Sequence, residues 1–255
     1  MSGQLFSNVR GNGEVIILLH GLFGCSDNLS RVAKELSEDY EVHSLDLRNH
    51  GKSFHSSEMN YDLMAFDIIR YMDGNNIQSA ILLGHSMGGK VAMTMALMHP
   101  ERVIKLIVAD IAPVHYEAHH QEIITGLCSV NFDIVNTRRE VDRILSKTIS
   151  SVGVRQFLLK NLLITDNKKI SWKINLKGIT ENYTNIQAGM AVGSTFSKPV
   201  LFIAGGLSDY IKAEYKKATM NLFPKAEMKV ISGTSHWLHA EKPRIFVNIC
   251  LRFLQ

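Results

Sequence analysis

Cysteine is scarce: Cys25, Cys128 and Cys250 are odd in number and far apart. That excludes a disulfide scaffold and fits a reducing compartment, so a cytoplasmic protein is expected. CxxC and HExxH patterns are missing, so a zinc site has no sequence basis, and neither a metal nor a cofactor is expected. No apolar run approaches the roughly 18–20 residues that span a bilayer, so no stable membrane insertion is expected. The first ten residues lack the basic start and apolar stretch of a signal peptide. Charge of one sign is in short supply too. Lys and Arg number 28 against 24 Asp and Glu, a net +4. Basic residues do not cluster with aromatics and no nucleic-acid-binding motif appears, so no nucleic-acid partner is expected.

What is present fits one α/β domain. The 255 residues are 45% hydrophobic and 20% charged, enough apolar surface to offset the entropy of ordering the chain. Short apolar runs alternate with helical patterns. Val15–Leu19, Val42–Leu45, Ala80–Leu83 and Ile104–Asp110 read as strands buried on both faces of a parallel sheet. Between them Asn28–Leu36 and Tyr61–Met72 have helical spacing, with Asp27 and Asn60 as expected caps. Another helix starts just after Ser86 and is stopped by Pro100. The strand pattern returns at Pro199–Ile203 and Glu227–Ile231, and Pro243–Leu254 reads as a closing helix.

The alternation breaks for about 80 residues, too long for a loop. Residues 1–113 and 196–255 are expected to form the core, and 114–195 a helical cap over the sheet's C-terminal edge. A small hairpin is expected around Asp166-Asn167, between Leu162–Ile164 and Ile170–Trp172. The cap carries ten Lys and Arg against seven Asp and Glu. This reads as a solvated surface or as a rim that attracts anionic substrates. The pair His119-His120 reads as an exposed helix face rather than a metal site.

Gly84-His85-Ser86-Met87-Gly88 lies between a buried strand and a helix. In that context G-x-S-x-G marks a sharp turn that exposes a nucleophilic serine at a helix N-terminus. His20-Gly21-Leu22-Phe23-Gly24 follows the first strong strand, where the N–H of Leu22 can join that of Met87 in an oxyanion hole. His236, in the loop after the last strand, is the candidate base, while His239 is expected to pack or cap. Asp110 and Asp209 both follow strands, and either could orient the histidine. Asp110 is preferred, with Ser208 bridging Asp110 and His236. Phe157 and Leu158 are expected to wall an acyl pocket, and Phe23 and Trp237 to contact substrate.

These motifs, with Asp46-Leu47-Arg48-Asn49-His50-Gly51-Lys52-Ser53 and His236-Trp237-Leu238-His239, make the chain resemble the α/β-hydrolases. More narrowly it is similar to small bacterial serine esterases of the YbfF type and the related mitochondrial α/β-hydrolase domain proteins. The resemblance covers essentially the whole chain. It implies a mostly parallel sheet with helices on both faces, and a cap between the sixth and seventh strands of the fold. It also implies Ser86 as nucleophile, His236 as base, Asp110 as acid and Ser208 as a fourth member. The expected substrate is a short- to medium-chain acyl ester, with an acyl thioester as the alternative. Haloalkane dehalogenases and soluble epoxide hydrolases need a carboxylate where Ser86 stands. A non-catalytic ligand-binding protein on the same fold is the reading from another class. Oligomeric state is not legible.

Overall fold

The computed structural model describes residues 3–165, 169–190 and 193–255. Strand β1 (Ser7–Arg10) runs antiparallel to β3 (Glu41–Leu45) at one edge of the sheet. Strands β2 (Val15–Leu19), β4 (Ala80–His85), β5 (Val103–Ala109), β8 (Val200–Gly205) and β9 (Ala226–Ile231) continue it in parallel. The sheet order is β1-β3-β2-β4-β5-β8-β9.

Each central strand feeds two cores because successive side chains point to opposite faces. Ile17, Leu19, Leu82, Leu106, Val108 and Phe202 join a cluster with α2 (Tyr61–Gly74) and α3 (Met87–Met98). The alternate residues, among them Ile16, Leu18, Leu83, Ile107 and Ile203, join a cluster with α1 (Ser30–Leu36) and α11 (Pro243–Leu254). Two-sided burial is why these runs are continuously apolar.

The helix starts differ in how they are capped. Asn60 accepts the Leu63 N–H at 2.8 Å, as expected. Asp27 caps nothing: the chain makes a 3₁₀ turn over Ser26–Leu29 before α1, and Asn28 instead accepts the Cys25 N–H at 2.7 Å.

Between β5 and β8 run α4 (Gln121–Cys128), α5 (Arg138–Leu145), α6 (Val152–Leu158), a hairpin of β6 (Leu162–Ile164) and β7 (Ile170–Trp172), α7 (Leu176–Glu181) and α8 (Tyr183–Gln187). The turn expected at Asp166-Asn167 lies outside the described residues. The insertion falls between the fifth and sixth strands of the seven-stranded sheet. The resemblance implied a place between the sixth and seventh strands of the fold; in this sheet the fifth strand precedes the insertion. Ile124, Val141, Leu158 and Ile179 of the insertion belong to the same apolar cluster as α2 and α3. Helix α9 (Lys216–Leu222) and the short α10 (Leu238–Glu241) complete the chain. Among the described residues no helix is long and apolar enough to cross a membrane.

Candidate active site

Ser86 sits on the turn from β4 to α3 with φ 53° and ψ −121°, a conformation that costs an L-residue free energy and persists only when its surroundings impose it. Here they do. A Cβ on Gly84 would stand 2.2 Å from the Gly88 carbonyl oxygen, and one on Gly88 2.3 Å from that of Leu19. The turn closes only because both side chains are missing. The Ser86 N–H donates to the Ala109 carbonyl at 2.9 Å, tying the turn to the end of β5.

Three side chains meet there in a line. Ser86 Oγ is 2.9 Å from His236 Nε2, and His236 Nδ1 is 2.8 Å from Asp110 Oδ2. An ionised carboxylate only accepts, so Nδ1 carries the proton and Nε2 is left to accept from the serine. Asp110 is fully buried, has φ 53°, and takes the Gly205 N–H on its other oxygen at 2.8 Å. Asp209 is exposed, so the carboxylate beside the histidine is Asp110. Ser208 does not bridge to His236 as expected. Its hydroxyl donates to Asp110 Oδ2, the oxygen that also accepts from His236, and takes the Tyr210 N–H at 3.3 Å. Sequence reasoning missed Tyr210. Its ring stacks on the His236 imidazole with centroids 3.9 Å apart and planes 20° apart. A stacking contact between two loops leaves no spacing signal.

The turn after β2 is pinned on both sides of Leu22. The Phe23 N–H donates to His50 Nε2 at 3.1 Å, and the Phe23 carbonyl takes Asn161 Nδ2 at 2.6 Å. His50 Nδ1 must then carry the proton and donate to the Arg48 carbonyl at 2.9 Å. His20 is fixed in the same way: it accepts the Leu47 N–H at 3.0 Å and donates to the Gly21 carbonyl at 2.8 Å. Burial, the largest cause in each case, holds both rings neutral: it pushes His50 down to about 3 and lowers His20. The Asp46–Ser53 motif is the scaffold beneath. Asp46 accepts the Ser26 and Lys52 N–H groups at 2.6 and 2.8 Å, and Arg48 forms a buried two-pronged pair with Asp67 at 2.6 and 2.8 Å. Removing one member of such a pair costs about 3–5 kcal/mol. Met87 is the first residue of α3, so its N–H has no acceptor within the helix. Leu22 and Met87 border the same cavity as Ser86.

His85 donates from Nε2 to the His236 carbonyl at 2.8 Å, fixing the backbone of that loop. His239 packs against it with ring centroids 4.4 Å apart. The expectation that His239 packs fits this contact. Burial pushes it down to about 3 and lowers His85 well below the usual imidazole range.

Two cavities open beside Ser86. The smaller has room for about 30 Å³ and is bordered by Met87, Tyr61, Ile111, Lys90 and Ile186. The larger has about 210 Å³ and is bordered by Phe23, Ile123, Val154, Phe157, His236 and Trp237. Phe157 packs on Trp237 with centroids 4.4 Å apart. Leu158 lines neither cavity. It lies on the other side of α6, wholly buried in the core cluster, because neighbours on a helix point about 100° apart. His119, which is exposed as expected, and the half-buried His120 precede α4 and border both cavities, so the expected helix face is instead a loop beside Ser86. Burial pushes His120 down to about 4. Among the described residues the insertion's Lys and Arg side chains border neither cavity. Arg155 pairs with Asp142 at 2.9 Å, and Arg138 donates to the Leu159 carbonyl at 2.8 Å.

Residues 14–125 match the family described as the alpha/beta hydrolase fold. The esterase YbfF of Escherichia coli is 36% identical over 95% of this chain and 94% of its own. The chain belongs to the α/β-hydrolase family. The sn-1-specific diacylglycerol lipase ABHD11 of Danio rerio is 38% identical over 96% of this chain and 80% of its own. A solved structure described as a marine microorganism esterase is 41% identical, covers 99% of this chain and 100% of its own, and superposes with a TM-score of 0.96.

Proposed function

We propose that this α/β-hydrolase is a serine carboxylesterase acting on short- to medium-chain acyl esters through an acyl-enzyme. The observation that carries the reading is the hydrogen-bonded line from Ser86 through His236 to Asp110, ending beside two cavities. Similarity to an esterase and a lipase supports the same class. The N–H groups of Leu22 and Met87 hold the carbonyl oxygen as it becomes an oxyanion, which contributes several kcal/mol. Ser86 Oγ attacks the carbonyl carbon while its proton passes to His236 Nε2. Asp110 keeps the imidazole oriented and stabilises the imidazolium. His236 returns that proton to the ester oxygen, the alcohol departs, and the acyl group stays on Ser86. Water then attacks with His236 again as base, releasing the acid and restoring the serine hydroxyl. The segment 114–195 acts as the cap that bounds the substrate.

A basic rim beside the cavities would favour a thioester such as acyl-CoA. Arg138 and Arg155 are engaged within the insertion, and among the described residues none of the insertion's Lys or Arg side chains borders either cavity. The ester is therefore favoured. The test is a screen of p-nitrophenyl esters and acyl-CoA thioesters with wild type and Ser86→Ala. Ester turnover that falls by about 10⁴-fold or more in Ser86→Ala is expected. Turnover that survives the substitution, or no turnover of any acyl substrate, would overturn the reading.

A further inference from the structure

The two cavities beside Ser86 share Leu22, His119, His120 and Tyr210 but differ in two decisive neighbours. Only the larger is bordered by His236. Only the smaller is bordered by Met87. In ester cleavage the base must reach the leaving oxygen to return its proton, so the alcohol lies on the histidine side. The acyl group, held with its carbonyl oxygen toward the Leu22 and Met87 N–H groups, then extends the other way. We propose that the small cavity bounded by Met87, Ile111, Tyr61 and Ile186 receives the acyl group, and that the larger one bounded by Val154, Phe157 and Trp237 receives the alcohol. The assignment rests on the serine esterase reading and sharpens it: the enzyme is strict toward a short, uncharged acyl group and tolerant of bulky apolar alcohols. Phe157 thereby moves from acyl wall to alcohol wall.

Volume and stiffness agree. The smaller cavity is the tighter of the two, about 30 Å³ against about 210 Å³, which suits a short acyl chain. The walls of this cavity are cross-linked. Lys90 Nζ donates to the Val114 carbonyl at 2.8 Å and the Gln187 carbonyl at 3.3 Å, and also to that of Ala188. It thus joins the elbow helix to both roots of the cap. The Tyr61 hydroxyl donates to the Ile186 carbonyl at 2.6 Å. The Tyr116 hydroxyl takes the Ala112 N–H at 2.9 Å and donates to the Tyr210 carbonyl. With the Lys90 donors and both hydroxyls engaged, a carboxylate-bearing acyl group finds no free partner among them. The larger cavity is bordered by residues of α4 and α6 and by the Phe157–Trp237 contact. Val154, Phe157 and Trp237 wall it by apolar packing, whereas Phe23, which also borders it, is held by the His50 and Asn161 hydrogen bonds.

The test is a kinetic matrix on the full chain. One series varies the acyl length on p-nitrophenol; the other varies straight-chain alcohols on an acetyl group. Wild-type kcat/KM should drop at least tenfold between butyryl and octanoyl, since a misfit methylene is worth roughly 10–200-fold. Across ethyl to octyl acetates it should change by less than about tenfold. Ile186→Ala should raise the octanoyl-to-acetyl ratio roughly tenfold, whereas Phe157→Ala should alter the alcohol series and leave the acyl ratio within about threefold. Ile111→Val enlarges the same cavity more gently and serves if Ile186→Ala fails to fold; it should raise the hexanoyl-to-acetyl ratio. An acyl limit that moves with Phe157→Ala and not with the small-cavity variants would overturn the assignment, as would wild-type turnover equal from butyryl through decanoyl. Both results presuppose Ser86-dependent ester hydrolysis; its absence would remove the esterase reading itself.

Discussion

Ser86 and Asp110 stand directly after buried strands and His236 in the loop after the mostly exposed edge strand β9, whereas His120 and Phe157 reach the same point from an insertion whose helices run five to eight residues. In the core half, backbone groups and buried side chains hold the Ser86–His236–Asp110 line with hydrogen bonds. In the insertion half, apolar side chains shape space around the chemistry. Under the proposed esterase reading, reaction type is set where the backbone leaves no alternative, while selectivity is set where packing can be changed one side chain at a time.

The sharpest way to break this contrast lies in the core half. Asp110→Asn should lower kcat by roughly 10²–10⁴-fold in folded protein, because the histidine loses its orienting acceptor. Asp209→Asn, an exposed position, should cost less than tenfold. Ser208→Ala should fall between, about ten- to a hundredfold, since it removes one of the three donors to Asp110 and leaves the His236 contact. Steady-state kinetics of the three purified variants checks the series. The reverse order for the two aspartates would move the acid to Asp209.

How much of this was legible follows the same division. The elbow was readable because steric exclusion at Gly84 and Gly88 writes itself into a fixed spacing. Strand ends were readable because two-sided burial demands unbroken apolar runs, and Asp110 and Asp209 follow such runs; His236 follows the mostly exposed edge strand β9, whose pattern is weaker. Choosing between the aspartates needed burial and the Gly205 N–H, which are tertiary facts. The roles of Tyr210, His50 and Lys90 were illegible, since a ring stack, a loop brace and a lysine holding three carbonyls obey no period. His119 and His120 were misplaced because a helical pattern was extended into the loop before α4. Leu158 was assigned to the pocket beside Phe157 because the sequence does not say which side of a short, half-apolar helix faces the core.

Acidification should expose the same contrast in stability. Burial holds His50 and His239 near about 3 and His120 near about 4, and it lowers His20 and His85. Four of these five histidines belong to the core half. In the unfolded chain each titrates near 6.5. Below that value the unfolded chain binds more protons, so stability falls as pH falls from about 6.5 toward 4; above it the five rings add no slope. Each adds up to about 1.4 kcal/mol per pH unit. Thermal midpoints measured across this range should therefore decline steeply below pH 6. A flat profile from pH 7 to 5 would show that these rings accept protons without disturbing the fold.

The most direct test of the central claim, an acyl-enzyme on Ser86, is partitioning between water and methanol. Esters of one short acid with several different alcohols are hydrolysed at a fixed methanol concentration, and the ratio of methyl ester to free acid is measured for each. A common acyl-enzyme has lost its alcohol before either nucleophile attacks, so the ratio should be the same for every starting ester. A ratio that changes with the leaving alcohol would contradict the account, because water and methanol would then be attacking the ester itself.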